Sequence, residues 1–83
     1  MNRKVVLFHL REAAEQLNKT ILALTNEADY DMGEFRAEMS HLYHHLNTGW
    51  NGRDQTDEQF KECTDADFYE FRKFPTNEDL WLD

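Results

Sequence analysis

Glu38, His41 and His45 are the side chains whose types and spacing could do chemistry. Two histidines four residues apart share one face of a helix, a spacing that lets both imidazoles reach one metal ion, and Glu34 and Glu38 extend the same stripe. Glu38-Met39-Ser40-His41 also matches the Glu-x-x-His pair of carboxylate-bridged di-metal bundles, in which two such helices and two further glutamates converge. This chain has one copy, so that chemistry would need a dimer to supply the other. The same spacing also reads as a polar seam, with Glu38 paired to His41, His45 bonded to a neighbour, His44 turned to solvent and His9 a satisfied histidine at the core boundary.

Cys63 is the only cysteine, which excludes an intrachain disulfide. Glu62, Asp65 and Asp67 surround it in sequence, and acids disfavour a thiolate, so the residue reads as a small buried filler and not a nucleophile. No phosphate-cradling glycine loop, HExxH pair or nucleophile elbow occurs. The expectation is therefore a protein without catalysis and without a cofactor.

The formal charge is −8, and it is unevenly placed. Residues 1–53 hold seven acids against six bases, whereas residues 54–83 hold ten against three. Such a balance opposes direct binding to nucleic acid or to an anionic membrane. It fits docking on a basic protein partner through Asp57, Glu58, Asp65, Asp67, Tyr69, Glu70 and Trp81. It also admits a charge array that mimics nucleic acid and inhibits a nucleic-acid-binding protein. Several of these acids have structural work as first-turn helix residues, where the helix dipole favours them. No long apolar segment or signal-peptide core opens the chain, so the cytoplasm is the expected compartment.

The elements that must position these residues follow from spacing. Leu7, Leu10, Ala14, Leu17, Ile21 and Leu24 step by three or four, predicting a first helix from Arg3 to about Thr25 with that stripe as its core face. Val5 and Phe8 project away from it and require a cover. Asp31 and Glu34 mark a second helix start, and Phe35, Met39, Leu42, Leu46 and Trp50 form its stripe up to Asn51-Gly52, where glycine can take a left-handed conformation. The short connection makes the two helices an antiparallel hairpin.

Thr56-Asp57-Glu58-Gln59 and Thr64-Asp65-Ala66-Asp67 place a hydroxyl three residues before an amide or acid, predicting short helices over 57–62 and 65–73. Phe60 and Cys63 should face inward, and Pro75 should stop the second. Thr76 to Asp79 forms a third such box, ahead of a turn or docked tail. Six of the eleven aromatics lie between Phe60 and Trp81, enough apolar surface for this segment to fold back over Val5 and Phe8.

The prediction is a single all-α domain over residues 1–83: an antiparallel two-helix hairpin capped by two short C-terminal helices. At this length one core is thin, and the exposed apolar surface left over suits a homodimer or a complex with another protein. Noncatalytic protein binding is the expected function, with metal binding through Glu38, His41 and His45 as the alternative.

Overall fold

In the computed structural model, which describes residues 1–82, four helices follow one another: α1 (Arg3–Asn26), α2 (Met32–Asn51), α3 (Asp57–Glu62) and α4 (Asp65–Phe71). Each start carries the side chain that satisfies an otherwise free backbone N–H. Asn2 accepts from Lys4 N at 3.2 Å, and Asp31 accepts from Glu34 N at 2.9 Å. Thr56 with Gln59, and Thr64 with Asp67, form reciprocal capping boxes. Thr76 and Asp79 form a third, which opens a turn and not a helix.

The two long helices pack antiparallel as predicted, but through a different row of α1. Val5, His9, Ala13, Gln16 and Thr20 are buried. Leu7, Leu10, Leu17, Ile21 and Leu24, expected as the core face, are each at least 45% exposed. The physical reason is the closeness of the helices. A Cβ on Gly49 would lie 3.1 Å from the Cβ of His9, so glycine favours this close approach, and Ala13 is the next contact-facing residue of α1. The buried row also carries the polar side chains of Gln16 and Thr20, which bond across to α2 where leucines could not.

Rotation about the helix axes places the remaining rows. At about 100° per residue, the leucine row lies roughly 100° round α1 from the buried row. The Phe35–Met39–Leu42–Leu46 row lies about 90° round α2, in the same rotational sense, from Glu38, His41, His45 and Gly49. For antiparallel helices, like offsets of one sense fall on the same side of the pair, so the two rows form one continuous apolar face. Phe8 and His44 lie about 100° the other way and receive the C-terminal segment.

That segment reaches both residues that needed a cover, but leaves Phe8 44% exposed. Phe60 packs edge-on against Phe8 with ring centroids 5.2 Å apart, and Val5 is fully buried. Asn2 ties the start of α1 to the same region: its N–H donates to Arg53 O at 2.6 Å, and its amide donates to Gln55 O and Asp57 Oδ1, both at 2.9 Å. On α2, Asn51 Nδ2 donates to Phe71 O and Lys73 O at 2.9 and 2.6 Å, and Asn47 Nδ2 donates to Arg72 O at 3.3 Å. These bonds satisfy carbonyls left without helical partners at the C-terminal end of α4, which ends at Phe71 and not at Lys73.

Two further expectations need correction. Gly52 ends α2 with φ −94°, not in the left-handed region. Its glycine is required by space, since a Cβ would meet Thr48 O at 2.9 Å and Gln55 Oε1 at 3.0 Å. Cys63 is exposed instead of buried, and it is the residue that turns left-handed, with φ 33°, at the end of α3.

Candidate functional site

The seam between α1 and α2 gathers the polar residues that the sequence singles out. Thr20 Oγ1 lies 2.5 Å from Glu38 Oε2, Gln16 Nε2 donates to Thr20 Oγ1 at 3.1 Å, and Gln16 Oε1 lies 2.5 Å from His41 Nδ1. His41 Nε2 then meets His45 Nε2 at 3.0 Å. One arrangement of protons satisfies every link: His45 Nε2–H donates to His41 Nε2, His41 Nδ1–H to Gln16 Oε1, the Gln16 amide to Thr20, and the Thr20 hydroxyl to the Glu38 carboxylate.

Glu38 is thus engaged with Thr20, where pairing with His41 was expected. His41 and His45 do meet, through ring nitrogens whose separation suits two ligands of one metal ion. Among the described residues, however, no group of three or more His, Cys, Asp or Glu side chains is arranged to hold a metal. His44 does not point to solvent but packs against Phe68, with ring centroids 4.9 Å apart.

Below the seam, α1, α2 and the C-terminal segment line a partly open cavity of about 220 Å³. Its walls include Phe8, Phe60, Phe68 and Phe71 together with His9, His45 and Thr48. His9 Nδ1, His45 Nδ1 and Thr48 Oγ1 are buried without a hydrogen-bond partner. His9 is 7% exposed, and burial, reinforced by the neighbouring His45 and His44, pushes its pKa down to about 4. Burial and adjacent imidazoles also lower His44 and His45, with Glu12 opposing the shift at His45. This cluster is held uncharged at neutral pH, and its charging works against the fold.

The acidic segment is divided between structure and free surface. Asp57 is hydrogen-bonded by Asn2 and faces Lys4, and both hold its carboxyl below the usual range. Asp67 belongs to a capping box, and Tyr69 is covered by the Arg72 guanidinium at 4.8 Å from the ring centre. Glu58, Asp65 and Glu70 are exposed, and Trp81 is 92% exposed with φ 57°. Of the seven residues expected to meet a partner, all but the half-buried Asp67 are exposed, and Asp57, Asp67 and Tyr69 also have partners within the chain.

The apolar rows of α1 and α2, expected in the core, leave Leu7, Leu10, Leu17, Ile21, Leu24, Phe35 and Leu46 exposed. The signal that separates the two rows of α1 is present in the chain: Val5, His9, Ala13, Gln16 and Thr20 also recur at three and four, and the row contains no large aliphatic side chain beyond Val5. Among the described residues no helix is long and apolar enough to cross a membrane. No protein-family model, no curated protein and no solved structure matches the chain.

Proposed function

We propose that the protein is a noncatalytic protein-interaction domain that binds through the apolar face of its helical hairpin. The observation that carries this reading is the leucine row of α1. Leu7, Leu10, Leu17, Ile21 and Leu24 stand about half exposed along most of the 24-residue helix, beside the matching row of α2. Monomeric proteins seldom leave so long an apolar stripe uncovered, and such stripes are how helices dock on other proteins. Scattered exposed leucines would carry no such weight, but a continuous row does.

The test compares capture by the immobilised wild-type chain with capture by a Leu17→Glu/Ile21→Glu variant, each at low salt and at roughly 0.5 M salt, where charge contacts are screened within a few ångströms. The expected result is binding that survives high salt and is lost in the variant. Binding that disappears with salt and is untouched by the variant would refute it. That outcome would instead favour a second reading, docking of a basic partner on Glu58, Asp65, Glu70 and Trp81, which the 92% exposure of Trp81 supports.

A further inference from the structure

We infer that the occupant of the apolar face is a second copy of this chain, so that two hairpins close into a four-helix bundle with their C-terminal segments outward. This rests on the protein-binding reading above and names its partner.

Surface area is the first argument. The chain exposes 6658 Å², whereas a compact monomer of 10.0 kDa exposes about 5,200 Å². Its radius of gyration is 14.6 Å against about 12 Å for a compact domain of 83 residues. The excess, about 1,400 Å², falls within the roughly 1,000–2,500 Å² that each protomer contributes to a stable homodimer.

Geometry is the second. A two-fold interface must be self-complementary, and a flat pair of antiparallel helices with apolar rows on one side meets that requirement when turned onto itself. Helices of 24 and 20 residues give the two members of each layer similar lengths, so either can lie along either helix of the other copy. Residues at three-and-four spacing on both helices supply the interdigitating side chains of such bundles.

Charge is the third. In a chain of formal charge −8, no carboxylate falls within the arcs of α1 and α2 that carry the two rows. Arg3 lies within the α1 arc at its N-terminal end, and Arg11 and Arg36 stand at the borders. Two copies can meet face to face without bringing acids together, while the acidic residues 54–83 stay on the far side. A basic partner would find nothing complementary on this face, which separates it from the acidic segment as a docking surface.

Light scattering coupled to size-exclusion chromatography, run on the full chain over a dilution series, tests the inference. The expected mass is twice 10.0 kDa, falling toward the single-chain mass on dilution. Leu17→Glu/Ile21→Glu should give the single-chain mass at every concentration while keeping helical circular dichroism, because both side chains are exposed in the protomer. A mixed sample of isotope-labelled and unlabelled wild-type chains provides a measurement without substitution: interchain methyl contacts are expected between the leucine row and Met39 or Leu42. A wild-type chain of single-chain mass at the highest concentration, or a two-chain mass unchanged by the variant and without those interchain contacts, overturns the self-association. If the monomeric wild type still captures another protein at high salt and the variant does not, protein binding stands and only the second copy is refuted. If neither association nor capture occurs, both fail.

Discussion

Replacing His9 by leucine should flatten the dependence of stability on pH between 7 and 5. In the folded chain His9 has a pKa of about 4, against 6.5 for the free side chain. Its folded value is depressed, so between those values the unfolded state binds more protons and stability rises with pH. The contribution is fully present above pH 6.5 and is lost as acid protonates the unfolded chain. Taking 1.36 kcal/mol per pKa unit, His9 removes about 2 kcal/mol on going from pH 7 to pH 5, and about 3 kcal/mol by pH 4. Its 7% exposure means little screening by solvent is to be discounted. Urea unfolding at fixed protein concentration gives the measurement. Leucine is close in volume and does not titrate, and the Nδ1 it removes has no partner to orphan. The wild-type chain should lose roughly 2 kcal/mol more than His9→Leu between pH 7 and 5, a range above most carboxylate titrations. Parallel pH profiles for the two chains would show that His9 is not held neutral by burial, and the cavity beneath the seam would have to be far wetter than described.

Other substitutions probe the packing separately. Gly49→Ala puts a methyl 3.1 Å from the His9 Cβ, and the resulting separation of α1 and α2 should cost about 1–3 kcal/mol in thermal or urea melts. Thr20→Val removes the hydroxyl between the Gln16 amide and the Glu38 carboxylate, and should cost roughly 1–3 kcal/mol for the polar groups left unpaired. Asn51→Ala releases the carbonyls of Phe71 and Lys73, so amide hydrogen exchange should speed up over 64–82 while residues 10–25 of α1 stay protected. Thr56→Ala loses a capping box and should destabilise α3 by about 1 kcal/mol, read as faster exchange confined to 57–63.

Local chemistry made the helices legible in the sequence, and its absence elsewhere explains the differences. Asp31, Thr56 and Thr64 cap the helices they were expected to cap, because a cap depends only on residues two or three positions away. The all-helical hairpin with short C-terminal helices follows from those signals and from three-and-four spacing. Which row of α1 turns inward is a different problem. Periodicity points to the most apolar row, while the structure buries the row that Gly49 and Ala13 allow to come closest and that Gln16, Thr20, His41 and Glu38 can bond across. Depth of approach and pairing between distant positions are not properties of one helix. The same holds at the candidate site: spacing brought His41 to His45, but Gln16 and Thr20 reach Glu38 and His41 only after the hairpin closes. Cys63 was misplaced because the end of a two-turn helix is set by backbone conformation, with no sequence mark at a non-glycine residue.

The polar seam also acts as an address. A row of leucines repeating every three or four residues looks nearly the same after sliding by one helical turn, about 5.4 Å, and so accepts many pairings. The ordered run from His45 through His41, Gln16 and Thr20 to Glu38 accepts one. A shifted α2, or an α2 borrowed from a neighbouring chain in the wrong register, strips the buried Gln16 and Thr20 of their partners on α2, at roughly 1–3 kcal/mol each. The chain thereby writes its own hairpin in a script that tolerates no misreading, and reserves the permissive leucine row for contacts made after that hairpin is complete.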